Sequence, residues 1–183
     1  MPEDKGQATI LLEDEALRDG LQMEARIFHG VYDADDSHLA FMAHGSGYNG
    51  LYGGAAGWKG YRGGTTPAIQ IMDLDAESVV TVDGADVTNF NPLWLEGDLY
   101  FLSDRDDEIF NLWRYRPGGG ELTKITNERV WDIRAAGGHG GTVVYEAGGR
   151  LKSLDLASGR VTELEISIRP DLPQLRPQWK SAG

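Results

Sequence analysis

Apolar and polar residues alternate in short runs along most of the chain, and each run stops at Gly, Asp, Asn or Pro. A period of two puts successive side chains on opposite faces of an extended backbone, so these runs predict strands. Helical spacing occurs only around residues 13–18, a stretch too short to hold a helix without packing. Three runs align beneath one another: 98–103, 142–146 and, more loosely, 38–42. Each follows a turn, at Glu96-Gly97, Gly140-Gly141 and Asp35-Asp36 respectively. An alternating strand comes next in each unit, at 69–74, 112–115 and 151–156, and a more polar one closes it, at 78–82, 121–126 and 160–166. The strands that open the units are expected at 25–31, 92–95 and 130–135.

Equivalent positions recur about every 40 residues, the period of four-stranded propeller blades. Inner strands read apolar and outer strands polar, as radial packing of blades requires, whereas a β-sandwich has less reason to repeat one grammar at this period. The expected fold is therefore all-β: a partial β-propeller of about three four-stranded blades, near 24–82, 90–126 and 130–166. Residues 167–183 form a tail leading toward a next blade, and the whole chain, 1–183, is one domain. The first unit is longer because residues 44–66 intervene between its second and third strands. This excursion carries Tyr48, Tyr52, Trp58 and Tyr61 among nine glycines, more aromatic surface than a plain linker holds. It either packs over its own blade or meets a ligand.

Composition narrows the functions. Seventeen Lys+Arg against 29 Asp+Glu give a net charge of -12, which repels phosphate backbones and anionic membranes, so no nucleic-acid or membrane partner is expected. With no cysteine, disulfides and thiolate chemistry are excluded. No basic segment followed by a long apolar run opens the chain, and a cytoplasmic location is the expectation. Ser46, in His44-Gly45-Ser46-Gly47, comes near a nucleophile elbow but lacks its strand-to-helix turn. His29, His38, His44 and His139 show no helical metal-ligand spacing, so no metal or other cofactor is expected; His38 reads as a solvated residue opening its strand, and His139, among Gly137, Gly138, Gly140 and Gly141, as a solvent-facing turn residue. The acidic runs at 33–36 and 104–108 read as turns whose carboxylates accept backbone N–H bonds, rather than as calcium loops. Trp94, Trp113, Trp131 and Trp179 are expected to pack between blades. Arg62, Arg105, Arg134 and Arg176 are cations that a channel could offer to peptide carboxylates, with Arg105 the one expected to meet an acidic neighbour instead.

From the excursion onward the motifs resemble a known family. Trp58-Lys59-Gly60-Tyr61-Arg62-Gly63-Gly64 resembles the Trp-Lys-Arg-Tyr-Arg-Gly-Gly signature in the N-terminal six-bladed propeller of tricorn-type peptidases, with Gly60 in place of arginine. Asn91-Pro92-Leu93-Trp94 and Phe101-Leu102-Ser103-Asp104-Arg105 are similar to the family's next blade, and Val143-Val144-Tyr145-Glu146 with Gly148-Gly149 to the one after. Asp171-Leu172-Pro173 and Arg176-Pro177-Gln178-Trp179 resemble the crossing into a further blade. The resemblance implies a piece of the substrate-handling propeller without the Ser/His machinery, which the family carries far downstream. It implies a non-catalytic segment that binds or gates peptides, with Trp58, Lys59, Tyr61, Arg62 and Arg176 as substrate-binding residues. The alternative is a stand-alone propeller scaffold for a protein partner. Since the end blades show no visibly polar side, a two-fold homodimer closing a six-bladed ring is expected.

Overall fold

The structure, a computed structural model, describes residues 28–42, 60, 62, 66, 68–82 and 87–167. These form twelve strands in three antiparallel four-stranded sheets, each a simple meander. The first blade holds β1 (Phe28–Tyr32), β2 (His38–Met42), β3 (Ile69–Asp73) and β4 (Ser78–Thr81). The second holds β5 (Asn89–Leu95), β6 (Asp98–Ser103), β7 (Asn111–Arg116) and β8 (Glu121–Lys124). The third holds β9 (Ile133–His139), β10 (Thr142–Ala147), β11 (Arg150–Asp155) and β12 (Val161–Glu163). The repeating strand grammar thus yields propeller blades, as its period requires. No described helix is long and apolar enough to cross a membrane.

The opening strands β1, β5 and β9 are neighbours and form the inner edge of each sheet. A meander alternates its turns between two ends. The β1–β2, β5–β6 and β9–β10 turns therefore share one end with the β3–β4, β7–β8 and β11–β12 turns. Connections between blades lie at the other end, together with the β2–β3 excursion. Leu99 and Phe101 of β6 and Leu112 of β7 are fully buried, in one cluster with Ile69 and Ile71 of the first blade and Val143 and Tyr145 of the third. Stacking of the blades is what removes these faces from water.

Two strand starts differ from the sequence expectation, each for a local reason. β5 begins at Asn89 because a bulge between Phe90 and Leu93 absorbs Asn91 (φ 56°) and Pro92 without ending the pairing. β9 begins at Ile133 and runs through Gly137-Gly138 to His139, because β10 pairs with it up to Thr142↔His139. The glycines read as part of a turn are thus strand, and His139 is an exposed strand residue. Gly138 suits the place: a Cβ there would lie 2.7 Å from Leu95 Cδ1 and 3.0 Å from the Thr142 carbonyl oxygen.

Side chains fasten the blades. The Asn91 amide donates to the Ala136 carbonyl (2.9 Å) and accepts from the Ala136 N–H (3.2 Å), standing in for a neighbouring strand. Asn111 accepts from Thr126 Oγ1 (2.9 Å) and the Glu128 N–H (2.7 Å) and donates to the Glu128 carbonyl (3.1 Å), which holds the second crossing against β7. Asp132 accepts from the Phe110 N–H at 3.1 Å. Trp94 and Trp113 pack against the core, but Trp131 is 62% exposed. It belongs to that crossing rather than to a strand, and overlies the turn at Gly148, where a Cβ would come within 2.7 Å of its ring.

The two end blades are unlike. Leu39, Phe41 and Met72 of the first are buried although they stand outside the main cluster. The third instead exposes Val144, Leu151 and Leu164.

Candidate functional site

Of the substrate-binding residues expected from the sequence, Trp58, Lys59, Tyr61 and Arg176 lie outside the described residues; Arg62 lies within them. Its guanidinium reaches from the first blade's excursion to the second blade, where Nη1 donates to Asp104 Oδ2 at 2.8 Å. Asp104 is 1% exposed and also accepts the Thr88 N–H on Oδ1 (2.9 Å). A buried carboxylate with these donors is engaged in holding its turn, so the pair ties Arg62 to the second blade whatever else it meets. Gly60 lies beside Glu108 of the same turn.

Arg105 makes contacts with uncharged partners on its own blade. Its Nε donates to Ser103 Oγ (3.1 Å), its Nη2 to Asn89 Oδ1 (2.9 Å), and its guanidinium lies 4.9 Å from the Trp113 ring. A planar, weakly hydrated cation gains from such stacking, which a turn sequence alone does not announce. The acidic run after β6 is a turn, with Asp107 and Glu108 at positive φ and Asp106 paired to Lys124. Among the described residues no group of acidic, His or Cys side chains is placed to hold a metal ion.

At the opposite end the acidic run at 33–36 forms the expected carboxylate-capped turn, and it also ties down the Ser37 and His38 side chains, partners that the sequence did not single out. Asp33 Oδ1 accepts the N–H groups of Ser37 and His38, both at 2.9 Å. Its Oδ2 accepts the Ser37 hydroxyl (3.0 Å) and lies 2.7 Å from His38 Nδ1. Burial pushes the Asp33 carboxyl up, but the bonds from His38 and Ser37 and the His38 charge outweigh it, leaving it below its ordinary value of 3.8. His38 Nε2 faces Asp73 Oδ2 at 3.8 Å, and its ring lies 6.2 Å from that of Trp94 on the second blade. His38 is therefore a fastened residue rather than a merely solvated one. The available signal was Asp33 four and five residues before Ser37-His38, the reach of a carboxylate across its own turn. A serine, a histidine and an aspartate meet here, yet both oxygens approach the same ring nitrogen, whereas a relay needs the nucleophile and the acid on different nitrogens. His38 also lines a cleft of about 260 Å³ between the first two blades, with Tyr32, Asp33, Asp35, Trp94 and Glu96 among its walls.

The third candidate surface is the inner edge. Along β9, Arg134, Ala135, Gly137, Gly138 and His139 are all exposed. As an edge strand it leaves backbone groups on one side without a sheet partner, and Asn91 shows that they are accessible by taking both from Ala136.

Comparison with known proteins accords with this architecture. Residues 8–160 match the family model described as the tricorn protease N-terminal beta propeller domain. A tricorn protease homolog of Saccharolobus solfataricus is 29% identical over 126 residues, covering 67% of this chain and 11% of the relative. Tricorn protease homolog 1 of Streptomyces coelicolor is 35% identical over 106 residues, 57% of this chain and 10% of the relative. The chain thus spans about a tenth of the curated relatives it matches. The crystal structure of the tricorn protease superposes with a TM-score of 0.65 at 18% identity, over 80% of this chain and 13% of that one. A putative TolB from Agrobacterium tumefaciens gives 0.60 at 15% identity, over 78% and 50%. At these identities the two structures show a shared fold.

Proposed function

Because this chain belongs to the tricorn protease N-terminal β-propeller family, we propose that it is a non-catalytic propeller segment of a tricorn-like peptidase that binds or gates peptides. The observation that supports peptide handling best is the inner edge of the third blade. Exposed, glycine-rich β9 offers backbone donors and acceptors to an extended chain, as sheet edges do when a peptide adds as a further strand. Ala136 already shows this pairing with an amide, that of Asn91. Side chains alternate along a strand, so the backbone groups of Gly138, two residues on and in the same regular register, share the orientation of those of Ala136. Arg134 adds a positive charge to this edge.

Fluorescence anisotropy of labelled unstructured peptides with the full chain tests this. Saturable binding without cleavage is expected, weakened at least several-fold when Gly138→Pro removes an edge N–H. Absence of binding, or turnover abolished by Ser37→Ala, overturns it.

A second reading is favoured by the outward face of the third blade. There Val144 is 37% exposed, beside Leu151 and Leu164. It would make the chain a scaffold for a protein partner, a second copy closing a six-bladed ring included. Light scattering that finds only a 20.0 kDa monomer removes the second copy.

A further inference from the structure

The cleft between the first two blades has features that the peptide-edge reading does not use. It lies at the end of the β1–β2 and β5–β6 turns, away from the Arg62–Asp104 anchor. Its cavity of about 260 Å³ falls below the ~300–1,000 Å³ of sites for drug-sized ligands, and suits one long side chain. Tyr32 and Trp94 supply aromatic walls, and Tyr32 is 46% exposed. Asp33 and Asp35 come from one blade and Glu96 from the other, so carboxylates stand on both sides.

Their engagements differ in a way that matters. Asp33 is consumed by Ser37 and His38. Asp35 and Glu96 stand outside the ion pairs of the described residues. The imidazole of His38 faces the carboxylates of Asp33 and Asp73, so the cleft is net negative whether or not that ring carries a proton. Aromatic faces attract cations through their quadrupole, and carboxylates at the rim add direction. A neutral apolar ligand would leave those carboxylates to be desolvated without return.

We propose that this inter-blade cleft is a binding site for a single cationic side chain, arginine or lysine, of a bound peptide. The proposal rests on the peptide-handling reading and adds to it a place and a charge preference. Trp94 and Tyr32 flank the alkyl stem and cationic head, while Asp35 and Glu96 receive its donors. The net charge of -12 steers such ligands toward the protein at low salt.

The test is amide and indole NMR of the full chain titrated with Nα-acetyl-arginine amide and, separately, its neutral isostere Nα-acetyl-citrulline amide. The arginine probe should give saturable shifts confined to Asp35, Ser37, Glu96, Gly97 and the Trp94 indole. Citrulline should bind about tenfold more weakly, the loss expected when a charge-assisted contact becomes neutral. The double variant Asp35→Asn/Glu96→Gln, at exposed positions, should abolish that difference while leaving the remaining spectrum unchanged. Equal affinity for the two probes, shifts located elsewhere, or arginine binding unaltered by the double variant overturns the proposal. A neutral peptide that perturbs β9 and spares the cleft would preserve the edge reading while sinking this one if arginine also fails to move the cleft. If neither surface responds to any peptide, both fall.

Discussion

The second and third blades are built from the same four-strand grammar, yet they bury it differently. In β6 every residue from Leu99 to Ser103 is buried, whereas in β10 burial alternates: Val143, Tyr145 and Ala147 are buried, while Val144 is exposed. Pairing is as regular in one as in the other, so the difference does not lie in the sheets. It lies in the neighbours. The second blade has a blade against each face; among the described residues the third has one on a single face. A strand's chemistry thus follows from how many of its faces meet another sheet. The second blade buries its whole apolar run, while the third leaves Val144 of the run Val143-Val144-Tyr145 exposed.

The comparison is tested most sharply by truncation. Phe101→Ala in the second blade should cost about 3–5 kcal/mol, as for buried aromatics, while Val144→Ala should cost under about 1 kcal/mol. Urea unfolding of both variants checks this, and comparable losses would remove the distinction. A smaller effect comes from the polar side of the third blade. Tyr145 donates its hydroxyl to Glu128 Oε1 at 2.9 Å, and Lys152 Nζ lies 2.6 Å from the same oxygen. Burial raises the Tyr145 pKa, and the hydrogen bond to Glu128 and its charge raise it further. Glu128→Ala should destabilise by about 1–3 kcal/mol and Glu128→Gln by less, since an amide oxygen can still accept. Tyrosine absorbance titration of the glutamine variant should show Tyr145 ionising at lower pH than in the parent.

The seam between the two blades gives a smaller change. Asn91→Ala should cost about 1 kcal/mol and speed amide exchange at Ala136, whereas Asn91→Gly, which tolerates the positive φ, should cost less. The first blade supplies a control away from both. Asp33→Asn should cost about 1 kcal/mol near neutral pH, the scale of a lost side-chain cap. Since folding depresses the Asp33 pKa, its charge contributes stability fully above the ordinary value of 3.8. That contribution disappears as pH falls through the folded value. Parent and variant melting temperatures should therefore converge under acid.

The fold was legible because alternation and turn residues are local signals. The strand core at 98–103 and its partner near 112–115 follow directly from residues a few places apart. What stayed hidden depends on distant partners. The path of β9 through Gly137-Gly138 is fixed by pairing with Val143 and Val144, not by the propensity of glycine. Trp131 falls within the strand expected at 130–135, but β9 starts only at Ile133, and its position in the crossing leaves it outside. In the candidate site, Arg62 could be singled out from its motif, while its anchor Asp104 is 42 residues away. The cleft is formed from two turns that sequence reading treated separately, so only the stacking of blades reveals that Trp94 and His38 share it.

Gly138 has a consequence beyond its own strand. Blades of a propeller are wedges, and a ring closes only when their angular steps add up to one full circle. The missing Cβ lets the narrow end of the third wedge settle against Leu95 of the second. A methyl group there forces Leu95 to turn aside or opens the step between the wedges near the axis, where little width subtends a large angle. Repeated around a circle, such changes decide how many wedges fit. In this geometry one absent side chain helps to set the circumference.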